Sequence, residues 1–263
     1  MSKISELAVI ESGAKIDEDV EIGPFCHISS EATIKKGTEI ASGVVIRGRV
    51  TIGERNKISP YAVIGGDPQS TSYFHEDVEV IIGNDNIIRE YVSINAGTPQ
   101  FTKKTVIGSN NFIMAYAHIA HDCVVGDGCI FANAATLAGH VEIGDFVNVG
   151  GLTPIHQFVK IGSYSMIGGA SAVSQDIPPF VIAEGNRAKI RGVNRIGLRR
   201  RLNRELIDEL SHTLKELSHT TKPLKQRVEE IKISSTNEQV QEFCEFILNS
   251  KRGVPILRRA YGS

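Results

Sequence analysis

Isoleucine recurs at every sixth position ten times in succession, from Ile10, Ile16 and Ile22 through to Ile58 and Ile64. Helices repeat their apolar residues near 3.6 and half-buried strands near 2, so neither ordinary element carries this pattern. A six-residue period fits a parallel β-helix in which each hexad supplies one short strand and one corner. Three hexads close a triangular coil of 18 residues, and successive coils stack at about 4.8 Å. The period resumes at Ile82, Ile88 and Ile94, and again from Ile107, Ile113, Ile119 and Val125 onward to Val173. Glycine often follows the large apolar residue (Gly23, Gly53, Gly83, Gly108, Gly126), which suits a tight bend. Four places after it the side chain is small or branched, as at Ala32, Val44, Ala62 and Ala135, and should sit beside the large one inside the prism.

Two stretches, 65–81 and 95–106, interrupt the period and read as loops projecting from the prism, placed to wall a cleft. The repeat stops at Pro178-Pro179. From about Ile196 the period turns helical, with Leu198, Leu202, Leu206, Ile207, Leu210, Leu214 and Leu217 on one face. Further helices are expected over 222–231 and 237–248. The division is therefore a β-helix over 1–185 and a small α-helical C-terminal domain over 186–263, which covers an end or flank of the prism and protects its edge from aggregation.

Composition narrows the partners. A net charge of −1 gives no global field for nucleic acid or anionic membrane. No apolar run approaches the roughly 18 residues of a membrane span, and no signal-peptide core precedes the repeat. The four cysteines lack CxxC spacing, so reduced thiols and a cytoplasmic location are expected. Cys26, Cys123 and Cys129 fall in the small interior slot and read as core filler.

Four histidines, His118, His121, His140 and His156, fall within 39 residues, and none occupies an interior slot. One coil beyond His121 is Gly139, next to His140; one coil before His156 is Ala138. His121, His140 and His156 should therefore share one edge on adjacent levels, with His118 close by. Imidazoles so placed suit either a zinc ion or a general base beside a ligand, and Asp122, the next residue, is a candidate to orient the ring of His121, although strand alternation would turn its side chain the other way.

The runs A-H-I-A-H-D at 117–122, N-A-A-T-L-A-G-H-V at 133–141, I-H-Q-F at 155–158 and D-I-P-P-F-V-I-A-E-G-N at 176–186 carry a specific resemblance. Over nearly its whole length the chain resembles the UDP-N-acetylglucosamine O-acyltransferases, which open lipid A synthesis. The resemblance implies a left-handed parallel β-helix and a homotrimer with the histidine edge between neighbours. It implies transfer of a long (R)-3-hydroxyacyl chain from acyl carrier protein to a UDP-sugar, without a covalent intermediate, metal or other cofactor. His121 would be the general base and the Gly139 N–H the oxyanion donor. His118, His140, His156, Gln157, Gln69, Asn194, Arg200 and Arg201 would hold substrate or donor, and Gly169 and Arg187 would set acyl length. The run of arginines from Arg187 to Arg204 suits a diphosphate and an acidic carrier protein.

Departures from the family pattern bear on the acceptor. Ser70 and Ser72 stand where relatives often carry an aspartate and a lysine, Arg187 replaces a histidine, and Ile196 replaces an acid. The altered loop points toward a 3-amino sugar, which would give an amide product. Two rival readings of the same fold are an acetyl-CoA-dependent acetyltransferase and a zinc lyase like the γ-type carbonic anhydrases; a scaffold without chemistry is a third.

Overall fold

The computed structural model describes residues 3–71, 77–200 and 202–256. The hexads form a left-handed parallel β-helix. Among the described residues its three walls are sheets of 11, 8 and 8 strands, in which each parallel strand bonds to the one a coil away. Pairing follows the isoleucine period: Ile22, Ile40 and Ile58 stack in the first sheet, Ile28, Ile46 and Ile64 in the second, and Ile34, Ile52 and Ile82 in the third. The columns of Ile28, Ile34, Ile46, Ile52 and Ile64 are fully buried, each burial contributing about 1.5–3 kcal/mol. The period in fact begins one hexad earlier, at Ile4, which is 41% exposed because no coil lies beneath it.

The structure reassigns the glycines. Gly108 and Gly126 do not have positive φ. A Cβ on Gly108 would lie 2.7 Å from Gly126 O, and one on Gly126 would lie 2.9 Å from the Gly144 carbonyl carbon. These glycines permit close approach of stacked corners, and the bend itself is made by residues such as Asp19, Tyr61, Tyr116, Asp122 and His140 in the left-handed region.

The small slot holds more than small apolar groups. Asn56, Asn86 and Asn111 are buried there and form a ladder: Asn86 Nδ2 donates to Asn56 Oδ1 at 2.9 Å, and Asn111 N donates to Asn86 Oδ1 at 2.9 Å. Their amides also reach corner carbonyls, Asn86 to Gly108 O and Asn111 to Gly126 O, both at 3.0 Å. A corner breaks the strand ladder, so its buried polar groups need such side-chain partners. Cys26, Cys123 and Cys129 share this slot and are buried; burial pushes the Cys123 and Cys129 thiols up to about 12.

Beyond Pro178-Pro179 the first sheet continues. Strand Val181–Glu184 pairs parallel with Met166–Ile167, then turns back as Lys189–Val193 in an antiparallel hairpin. The segment expected to be helical thus starts with a strand; its short alternation lies among arginines and reads as basic surface. The long helical run is also broken. Helix α1 spans Arg195–Leu198, and α2, Arg204–His219, starts at Asn203, whose side chain accepts from Leu206 N at 2.9 Å. Helices α3, Leu224–Ser234, and α4, Glu238–Asn249, complete the tail. Ile207, Leu210, Leu214 and Leu217 of α2 join the same core as the prism. No described helix is long and apolar enough to cross a membrane.

Candidate active site

The histidines sit where second-sheet strands turn into the third sheet. His118 begins strand His118–Ile119 and pairs in register with Ser93 one coil away. Ser93 Oγ lies 2.8 Å from His118 Nδ1, and burial, then the nearby His121, lower the His118 pKa. Two places past Ile119 the corner presents His121, and one coil on it presents Gly139. An ideal Cβ at Gly139 would lie 2.5 Å from His121 Cε1 and 2.7 Å from Nε2, so the imidazole rests directly on the glycine. Among the described residues no acceptor takes the Gly139 N–H.

His121 Nδ1 stands 2.9 Å from Asp122 Oδ2. A carboxylate only accepts, so Nδ1 carries the proton in the neutral ring and Nε2 keeps its lone pair, facing the Gly139 side. The Asp122 side chain is fully buried. Burial is the largest influence on it and opposes ionisation, yet hydrogen bonds from His121, Thr98 and Thr102 outweigh it and hold the carboxyl well below the usual range. His140 completes the cluster, its ring centroid 4.9 Å from that of His121. Burial lowers its pKa, opposed by Asp122 and aided by His121. His140 stacks on Phe158 at 4.3 Å and meets Phe101 of the second insertion at 4.3 Å.

His156 is exposed at the end of Pro154–Ile155, with Nδ1 3.2 Å from Arg252 Nη2 and from Gln157 O. It lines a groove of about 740 Å³ on the second sheet, together with Thr136, Ala138, Ala172, Arg187 and Arg252. Gln157 tops the column above Gly139, whose carbonyl accepts from Phe158 N at 3.1 Å. The column therefore unites His121, Asp122, Gly139, His140 and Gln157, and the groove joins His156 to Arg187.

Other expected residues lie apart within the single chain. Gly169 is exposed at the corner between the first and second sheets, the far edge of the second-sheet wall from His121; a Cβ there would meet only the Gly151 backbone, O at 3.4 Å and N at 3.8 Å. Gln69 is exposed in the first insertion, whose root is tied to the site's wall by Asn95 Nδ2 donating to Asp67 O at 3.0 Å. Asn194 is buried and spends its amide internally, donating to Tyr164 O at 2.8 Å and accepting from Gly197 N. Arg191 and Arg195 pair with Glu184 and Asp208, while Arg187 and Arg200 form no ion pair among the described residues. Ile196 is 76% exposed. Ser72 and Arg201 lie outside the described residues.

Sequence reasoning missed Thr98, Thr102, Phe101 and Phe158, which close the site from the second insertion and the following coil. The visible signal was the register shift at 95–106, which marks an insertion without saying what it touches. Ligand atoms of His121, Asp122 and His140 lie within 4.8 Å of one another, a spacing a metal ion can use. Several of these atoms are already engaged within the chain: His121 gives a proton toward Asp122, and the carboxylate accepts from Thr98 and Thr102.

A corner imidazole seated against the glycine one coil away, outside a hexapeptide prism, defines an acyltransferase of the hexapeptide-repeat class. The model of the bacterial transferase hexapeptide (six repeats) matches residues 31–66 and 104–139, and that of UDP-N-acetylglucosamine O-acyltransferase, domain 2, matches 176–255. The acyl-[acyl-carrier-protein]–UDP-N-acetylglucosamine O-acyltransferase of Aliarcobacter butzleri is 53% identical over 98% of this chain and 100% of its own. Its counterpart in Campylobacter lari is 51% identical over 98% of each chain. The solved UDP-N-acetylglucosamine acyltransferase of Campylobacter jejuni superposes with a TM-score of 0.93 at 47% identity, covering 97% of this chain and 100% of that one. The chain belongs to the UDP-N-acetylglucosamine O-acyltransferase family.

Proposed function

We propose that this chain transfers an acyl group from acyl carrier protein to the 3-position of UDP-N-acetylglucosamine, the first step of lipid A biosynthesis, with His121 as general base. The observation that carries the reading is the imidazole of His121 seated on Gly139, its Nδ1–H held by Asp122 and its Nε2 without a partner among the described residues. Nε2 takes the hydroxyl proton as the sugar oxygen bonds to the thioester carbonyl carbon. The oxyanion that forms meets the uncommitted Gly139 N–H, a stabilisation typically worth about 3–4 kcal/mol. Collapse breaks the carbon–sulfur bond, and the imidazolium, stabilised by the Asp122 anion, returns the proton to the leaving thiolate. The step balances without metal or other cofactor.

His118 and His140, half-buried on either side of the base, hold the sugar, and His156, Gln157 and Gln69 hold the rest of the nucleotide sugar. The groove floored by Ala138 and Ala172 takes the acyl chain toward Arg187, and Gly169 leaves room for a long one. Arg200 and Arg201 are assigned to the donor by the resemblance alone. Three chains side by side, with the histidine corner in the cleft between neighbours, belong to the same proposal, as does a cytoplasmic location. The one-sided site and the exposed ladder of Tyr61, Tyr91 and Tyr116, stacked at 5.3 and 5.1 Å, support an assembly.

The relatives' names specify an O-acyl product; Ser70 and Ser72 keep the 3-amino sugar as the competing acceptor. The test offers both acceptors to a 3-hydroxyacyl carrier protein and reads products by mass spectrometry, for wild type and His121→Ala. Loss of about 10²- to 10⁴-fold in the variant supports the base. Wild-type turnover in the variant, or no product from either acceptor, refutes the reading.

A further inference from the structure

The second insertion folds as a tight loop whose purpose is visible in its hydrogen bonds. Phe101 N and Lys103 N both donate to Thr98 O at 3.2 Å, closing a turn. That turn brings the two threonines onto one carboxylate. Thr98 Oγ1 donates to Asp122 Oδ2 at 2.6 Å, and Thr98 N lies 3.1 and 3.2 Å from the two oxygens. Thr102 Oγ1 lies 2.8 Å from Oδ1, sharing its proton with Lys104 O, and Thr102 N donates to Oδ1 at 3.2 Å. With His121 Nδ1, five donors surround a carboxylate whose side chain is fully buried. A carboxylate has about four lone-pair sites, so this one is saturated and cannot rotate without breaking several charge-assisted bonds.

We propose that Thr98 and Thr102 are positioning residues for the acyl-transfer step, holding the Asp122 carboxylate where it fixes the ring and tautomer of His121. This rests on the reading of His121 as general base. Between Gly97 and Lys103 the loop joins no strand, and its two hydroxyls meet a buried anion that touches the base. Gly97 lets it close: a Cβ there would lie 2.0 Å from Lys104 N. The titratable groups facing the carboxylate are His121, His140, whose Nδ1 stands 3.8 Å from Oδ2, and the neighbouring Cys123 thiol.

The test compares Thr98→Val, Thr102→Val, the double variant and the corresponding Thr→Ser variants, all in the full chain. Valine keeps the shape and the backbone N–H donors and deletes only the hydroxyls. The double variant is expected to lose about 10- to 100-fold in kcat, the usual cost of removing outer partners of a working imidazole, with KM within about twofold. Without the two hydroxyl donors more of the Asp122 charge falls on the imidazolium, so the acid limb of the kcat profile should move to higher pH in the double variant. Serine variants should recover wild-type kcat and profile. Wild-type kcat in the double variant, a loss carried by KM or by Tm alone, or serine variants as impaired as valine, overturns the proposal. His121→Ala run alongside separates the failures: activity in that variant removes the base and the clamp together, whereas an inactive His121→Ala beside an unaffected double valine variant removes only the clamp.

Discussion

Replacing Gly139 by alanine isolates the contact on which the chemistry depends. The added Cβ would stand 2.5 Å from His121 Cε1, against ordinary contact from about 3.4 Å, so the imidazole must retreat by roughly 1 Å. It has little room to do so, because Nδ1 is tied at 2.9 Å to a carboxylate held in turn by Thr98 and Thr102. Misplacement of a reacting group by about 1 Å costs on the order of 10²-fold, or about 2.7 kcal/mol in the barrier. The backbone is not strained, since Gly139 does not have positive φ, and the N–H proposed to meet the oxyanion is retained. Expected, then, is a kcat about 100-fold below wild type in the carrier-protein assay, with a melting temperature within a degree or two. An alanine variant with full kcat would refute the argument that this glycine seats the base. So would a loss of activity matched by a large fall in melting temperature, which would make Gly139 a structural glycine only.

Asn86→Leu should damage stability and spare the chemistry: it strands Asn111 N and Gly108 O inside the prism, at about 1–3 kcal/mol for each buried group left unpaired. Thermal unfolding should shift down by several degrees with kcat unchanged in the folded fraction; an unchanged melting curve would dismiss the ladder as a stabilising device. His118 and His140 have pKa values lowered in the folded state, so the unfolded chain binds more protons than the native one near the ordinary histidine value of about 6.5. Their contribution to stability is present above that pH and lost as pH falls through the folded values. Urea midpoints measured from pH 7.5 to 5 should fall for wild type and flatten in His118→Gln/His140→Gln; parallel curves would show that neither ring is held neutral by burial.

Much of the site was legible because the coil has fixed length. An 18-residue step carries His121 to Gly139 and Asp122 to His140, so the sequence alone brought the His121 imidazole onto its glycine. The same arithmetic reached less far for His156, which falls one place short of the column and meets Arg252, a residue some hundred positions away in the tail. It also misread the corner glycines, since a bend and a close approach leave the same mark in a sequence. Only the stacked coils show that Gly108 is constrained by Gly126.

The hexad period by itself determined the prism, the identity of the interior columns and the level of each corner, because in a solenoid every contact is to the neighbouring coil at a constant offset. The residue types at those corners determined the candidate chemistry. Tertiary structure alone decided what covers them. The loop at 95–106 follows no period, and nothing in its order announces that Thr98 and Thr102 close on Asp122 or that Phe101 lies on His140. The hairpin of Val181–Glu184 and Lys189–Val193, and the break between α1 and α2, were likewise settled by packing on the prism's end. Repeats write their contacts into the sequence as spacing; insertions and tails find theirs only through the free energy of the folded whole.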